Sequence, residues 1–329
     1  LAHPKDPAGL EVAGEIAAAS SRPMEAIELY EAAIEYSPAA PASLYEKLGR
    51  QWLNRGLPYE AAEVLRRSVA KHPDDAKVRA DLAGLVASLG MVRDAAVHLR
   101  WLLRRGKGGL NELIMLADLN VPQTDRAICE YAIRHNPDDL RPKYPLALET
   151  AYAQDFRRAA DELAQVTAKH TDFPVAWALY GRSLVELGEA EKLEQWQQQL
   201  PAGIDRWPDY WMAAGTWAER RNEPKLAARA FWEAVKIDDS HGEALVQLAA
   251  QLTQLNRDED ARRVAQRAAA VNTMHDSVES FLAWRGNSQK AALSIAEAMS
   301  QLGRPWEAEA WARASLAMTQ QLDDGARQT

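Results

Sequence analysis

A period of 34 residues constrains this chain more than any other feature. Four blocks begin at Leu140, Pro174, Pro208 and Gly242, each start 34 residues after the one before. Trp177, Trp211 and Leu245 stand at the fourth place of the last three blocks, and the small residues Ala147, Gly181, Gly215 and Ala249 stand at the eighth place of all four. The twentieth place carries Ala159, Leu193, Ala227 and Ala261. Self-similarity at a fixed spacing marks a solenoid, in which one supersecondary unit cannot bury its apolar face alone and stacks on copies of itself.

The interior of each block identifies the unit. Gly56, Gly90 and Gly188 hold the fifteenth place, with Ser21, Asn222 and Asn256 in other blocks. Gly and Asn tolerate the left-handed backbone that ends a helix, so this place predicts a helix C-cap and a tight turn. On either side, apolar residues recur at helical spacing, as in Ala61, Val64, Leu65 and Val69. Pro38, Pro73 and Pro137 then stop the second helix. Each unit is a helix, a turn and an antiparallel helix, and the fold class is all-α, a solenoid of about eight or nine such pairs.

The units fall near 7–41, 42–75, 76–105, 106–139, 140–173, 174–207, 208–241, 242–275 and 288–320, within one array spanning 1–329. A length of 329 residues would otherwise read as about two globular domains, but an array lengthens by adding units. Two places break the rhythm. Gly106-Lys107-Gly108-Gly109 and Val121-Pro122 bracket a clipped apolar run, which makes the unit at 106–139 irregular and predicts a hinge. An extra helix is expected at 276–285, amphipathic through Val278, Phe281, Leu282 and Trp284. The chain opens on Leu1 rather than Met, which reads as a processed or truncated piece and leaves cytoplasmic and extracytoplasmic homes both open.

Composition removes several function classes. Hydrophobic residues at 47% and charged residues at 26% favour a packed chain over disorder. A formal net charge of −8 argues against sequence-independent binding of phosphate backbones, so nucleic acid is not an expected partner. No run of about 18 apolar residues occurs, so no membrane insertion is expected. The lone Cys129 excludes an internal disulfide, and its place on an apolar helix face points to a buried thiol. No histidine pair has metal-ligand spacing, no nucleophile elbow is present, and the glycine-rich connector lacks a phosphate loop's spacing. Catalytic residues, metal and cofactors are therefore expected to be none.

One block carries Trp211, Ala214, Gly215, Ala218, Ala227, Phe231 and Ala234 at its key places. This pattern resembles the tetratricopeptide repeat family, with Asp239 where the family has Pro. The unit from Ala42 keeps Trp52 and Pro73 but has Ser68 in place of the last Ala. The resemblance covers nearly the whole chain. It implies a right-handed superhelix whose concave groove, lined by the first helices, binds a peptide or protein segment. The family's Lys and Asn clamp for a terminal carboxylate is replaced here by Glu46, Arg50, Ala80 and Gly84. The places of its asparagine ladder hold Lys47, Asp81, Pro145, Leu179, Ala213 and Gln247, so neither ligand mode is expected.

The groove-facing places implied by the repeat include Arg50, Asn54, Arg141, Tyr144, Tyr152, Arg182, Met212, Glu219 and Arg220. Tyr144, Tyr152 and Arg182 make the strongest candidate cluster, because Tyr and Arg dominate binding interfaces. The bland alternative is a set of solvated helix faces. Of the 11 tryptophans, Trp52, Trp177 and Trp211 fall at core places, whereas Trp101, Trp207, Trp217, Trp232 and Trp306 do not. Trp207 beside Tyr210 is the candidate interaction patch. The leading expectation is a non-catalytic scaffold for a protein or peptide ligand. The alternatives are the helical-repeat region of a larger enzyme or surface protein, and self-association through the last pair, which carries Trp306, Trp311, Leu316 and Met318.

Overall fold

A computed structural model describes residues 5–117 and 119–327, with side chains described up to residue 318. All of its regular elements are helical: 18 α-helices and one 3-10 turn, with no strand among the described residues. The chain divides into two compact units, one made of Leu1–Gly108 with Pro122–Glu149, the other of Gly109–Val121 with the residues from Thr150 onward.

The first unit opens with α1 (Pro7–Ala19) against α2 (Pro23–Tyr36), then α3 (Ala42–Asn54) against α4 (Pro58–Lys71), then α5 (Ala76–Ser88) against α6 (Val92–Arg104). Consecutive pairs pack through α2 on α3 and α4 on α5. Proline sits in the first turn of α1, α2 and α4, where its missing N–H leaves no bond unmade. Asp6 and Asp75 accept from the backbone N–H of Gly9 and Val78 and so cap α1 and α5. The turns at Ser21, Gly56 and Gly90 have φ of 56°, 69° and 77°, which is the left-handed geometry the fifteenth place predicts. The second helices stop at Tyr36 and Lys71, two residues before Pro38 and Pro73.

The chain then leaves this unit and returns. Helix α7 (Leu110–Ala117) belongs to the second unit, while α8 (Arg126–His135) and most of α9 (Lys143–Tyr152) belong to the first. α8 lies across the turn between α3 and α4: Tyr131 donates to the Asn54 carbonyl at 2.8 Å, and Asn136 donates to the carbonyls of Arg55 and Gly56. The start of α9 covers the turn between α5 and α6, where a Cβ on Gly90 would lie 3.0 Å from Tyr144. The interruption at 106–139 is therefore more than a clipped first helix. α8 docks on earlier turns, and α7 pairs elsewhere.

The second unit continues with α10 (Phe156–Lys169), α11 (Pro174–Leu187), α12 (Ala190–Gln197), a 3-10 turn (Ile204–Arg206), α13 (Pro208–Arg220), α14 (Pro224–Ile237), α15 (Gly242–Gln254), α16 (Asp258–Ala283), α17 (Gln289–Gln301) and α18 (Pro305–Arg327). α13 pairs with α14, α15 with α16 and α17 with α18, and α11 packs on α10 and α13. The separate helix expected at 276–285 is absent, because α16 runs unbroken to Ala283. The cause is local: Thr273 occupies the place of Pro38 and Pro73, and nothing there stops the helix. The added turns carry Phe281, fully buried and edge-on to Trp311 with ring centres 5.2 Å apart. α7, whose Leu113 and Leu116 are buried, packs against α16 and α18, and Asn120 donates to the Ser240 carbonyl at 3.3 Å.

The eighth place positions each leading helix on its partner. A Cβ on Gly14 would lie 2.5 Å from the Tyr30 ring, one on Gly215 2.5 Å from Phe231, and one on Gly181 2.2 Å from Trp196. All three distances fall inside van der Waals contact, so only glycine admits these aromatic rings. Gly49 faces Leu65 instead, and a Cβ there would meet it at an ordinary 3.8 Å. Glycine is thus required where the trailing helix offers an aromatic ring and optional where it offers leucine.

Candidate functional site

The leading helices of the second unit are laced together by polar side chains. Arg182 on α11 is only 6% exposed; it donates to Glu186 at 2.9 Å and also to Glu243 on α15, beyond the intervening α13. Burial works against its charge, but the carboxylates of Glu243 and Glu186 outweigh it and hold the guanidinium above its ordinary range. Arg220 on α13 donates to the Val185 carbonyl on α11 and lies 3.8 Å from Glu186. Gln251 on α15 donates to Glu219 on α13 at 2.7 Å. Arg182 is the buried member, and removing Glu186 or Glu243 would leave its charge less compensated. The lacing therefore holds α11, α13 and α15 at set spacings.

These contacts determine what the expected binding residues offer a ligand. In the second unit, Arg182, Glu219 and Arg220 are occupied by the lacing, Met212 is fully buried, and Tyr152 is 53% exposed. In the first unit, Tyr144 is 2% exposed, against the turn at Gly90, and does not present a contact surface. Arg141 is held by Asp139 at 2.8 Å and Glu60 at 2.6 Å, and its guanidinium lies 4.8 Å from the Tyr59 ring centre. Arg50 and Asn54 are exposed on α3, although the Asn54 carbonyl accepts from Tyr131. Consensus places reported the register of these residues but not their surroundings. The exposed Val246 and Ala250, one turn apart on α15, were missed although they occupy groove places in the same count.

The aromatic residues divide in the same way. Trp207 and Tyr210 are half-buried around a core cluster that includes Trp177 and Trp196, with Tyr210 tilted 5.9 Å from Trp196 and edge-on 5.0 Å from Trp211. Trp196, which no consensus place marks, donates to the Trp177 carbonyl at 2.8 Å. Trp101 is sandwiched between Arg79 and Arg105, with 4.3 and 4.2 Å to the ring centre. Trp232 and Trp284 are 49% and 70% exposed. In the last pair Trp311 is fully buried and Met318 is 8% exposed, while Leu316 is 63% exposed.

Cys129 is fully buried, and desolvation pushes its thiol up to about 12, where almost none is thiolate at neutral pH. No cluster of three or more His, Cys, Asp or Glu suited to a metal ion occurs among the described residues. None of the described helices is long and apolar enough to cross a membrane.

No family model matches the sequence. No curated protein matches it either. Solved structures give loose overlaps. MamA is 12% identical, covering 54% of this chain and 96% of its own at a TM-score of 0.31. A human IFIT1 dimer with PPP-AAAA is 11% identical, covering 93% and 89% at 0.37. Yeast Tom70 is 14% identical, covering 95% and 76% at 0.30. Overlaps of this kind carry no inference about what the present chain binds.

Proposed function

We propose that this chain is a non-catalytic scaffold that holds a segment of a partner protein against the leading helices of its second unit. The observation that supports this reading is the lacing of α11, α13 and α15 by Arg182, Glu186, Arg220 and Glu243. A surface fixed in advance loses little conformational freedom on binding, so more of the contact energy appears as affinity. Arg182, Glu219 and Met212 act from behind this surface, by setting helix spacing and packing. Val246, Ala250 and Tyr152 are its accessible members, Val246 being 49% and Tyr152 53% exposed. Arg50 and Asn54 play the corresponding part on α3 of the first unit, while Arg141 braces α4 through Glu60 and Tyr144 covers the turn at Gly90.

The test is a pair of carboxylates placed on the exposed face of α15, Val246→Glu with Ala250→Glu. Both sites are solvated, so the far-ultraviolet circular dichroism of the variant should match that of the parent. Proteins that co-purify with the parent chain should be lost or depleted with the variant. Undiminished recovery of the same proteins would refute this surface.

A further inference from the structure

The recess between the trailing helices α14 and α16, floored by α15, has a volume of about 570 Å³. Its walls follow helical spacing. Lys225, Arg229 and Trp232 fall at i, i+4 and i+7 along α14, and so share one face. Arg257, Asp260 and Arg263 fall at i, i+3 and i+6 at the start of α16. Between the walls lie the buried leucines Leu248 and Leu252.

The charge of this lining opposes that of the chain. Four cations and one carboxylate line the recess of a protein whose formal net charge is −8. Arg257 and Arg263 both use the one acid, Asp260, with Arg257 at 2.8 Å, and Glu259 approaches Arg263 at 3.7 Å. Lys225 and Arg229 make no ion pair among the described residues, although Lys236 on the same helix pairs with Glu233 at 2.5 Å. Two solvated cations stand on one wall with Trp232, 49% exposed, at its end and an apolar floor beside them.

We infer that this recess is a docking site for an acidic segment of a partner protein that carries an apolar side chain between its carboxylates. The carboxylates pair with Lys225 and Arg229, and the apolar side chain enters over Leu248 and Leu252 beside Trp232. The volume lies within the range of about 300–1,000 Å³ typical of small-ligand sites, room for more than one side chain of a peptide. The apolar floor favours a peptide over a nucleic acid strand. A strand needs a continuous phosphate track and successive stacking platforms, and the recess has one tryptophan. The inference shares with the proposed function only the premise that the partner is a protein, and it uses the opposite helices of the same pairs.

The test is fluorescence anisotropy of the full chain with a labelled synthetic peptide repeating Glu-Glu-Leu, alongside a Lys-Lys-Leu peptide of equal length and a labelled oligouridine. The acidic peptide should bind, with affinity falling as salt rises, and the basic peptide should not. Lys225→Glu with Arg229→Glu should weaken binding at least about tenfold, and Trp232→Ala should weaken it several-fold, both with unchanged circular dichroism. The variant with Val246→Glu and Ala250→Glu should bind the acidic peptide as the parent does, which separates this site from the leading-helix surface. Failure of the acidic peptide to bind would overturn the inference. So would equal binding by the charge-reversed variant, or tighter binding of oligouridine than of peptide.

Discussion

Replacing Gly215 by alanine should destabilise the chain, although alanine is the better helix former. The helix preference alone favours the change by about 1 kcal/mol. Against it, the new Cβ would lie 2.5 Å from Cε1 and 2.7 Å from Cδ1 of Phe231. Contact between carbons is comfortable at about 3.5–4.0 Å, so the ring must retreat by about 1 Å. Phe231 is fully buried and has no solvent to move into. Overpacking costs about 1–3 kcal/mol, and a fully buried ring met at 2.5 Å belongs to the upper part of that range, about 2–3 kcal/mol, which leaves a net loss of about 1–2 kcal/mol. Other units show the remedy, since Ala83 is followed sixteen residues later by Leu99, and Gly49 leaves room for a Cβ beside Leu65. Phe231→Leu alone should cost about 1–2 kcal/mol through the space it opens. With Gly215→Ala added, the methyl fills that space, and the double variant should be more stable than the sum of the singles predicts by about 1–2 kcal/mol. Urea denaturation of the four proteins, followed by circular dichroism with a common slope, measures this coupling. Additivity within about 0.5 kcal/mol would refute the reasoning that glycine is there to admit the ring.

Three further outcomes can be checked. Gln154 holds φ at +66° without being glycine, so Gln154→Gly should raise the urea midpoint, by up to about 1 kcal/mol in stability, and a lower midpoint would count against it. Burial first, then Arg79 and Arg66, depress the imidazole of His98 below its ordinary 6.5. The unfolded chain therefore takes up a proton that the folded chain declines, and stability present above pH 6.5 is lost as pH falls through and below that value. A parent and a His98→Gln variant compared at about pH 7.5 and about pH 5.5 should differ in slope, the parent losing more, and parallel loss would exclude His98 as the cause. Leu113→Asp should detach α7, seen as faster amide exchange at 110–117 and along the contacting parts of α16 and α18. Unchanged exchange there would show that α7 contributes nothing to holding those helices.

The helix pairs were legible because their determinants are local. Left-handed turns at Gly56, Asn222 and Asn256 follow from residue type at a counted place, and stops before Pro38 and Pro73 follow from steric exclusion. Long-range docking was not legible. The clipped apolar run at 110–119 looks like a poor first helix, and nothing local says that Leu113 and Leu116 pack against helices so far along the chain. The break expected before Asp276 is missing because Thr273 stands where Pro38 and Pro73 stop their helices, a local signal the period already contained. The candidate site was legible only as a register. Periodicity places Tyr144 and Arg182 on the leading face, but whether a face meets solvent depends on what folds over it, here the turn at Gly90 and the carboxylate of Glu243. The trailing recess was overlooked because its cations are spread across two units of the period.

In a simple array each hairpin touches only the next, and loss of the last one frays the end alone. Helix α7 changes that arithmetic. It is made before the helices it binds, so its final packing waits until α16 and α18 emerge from synthesis. Once docked, it fastens an early segment of the chain to the last hairpin. Damage at the carboxyl end is therefore transmitted to the interior, and the second unit should melt more nearly as one body than as a row of separable links.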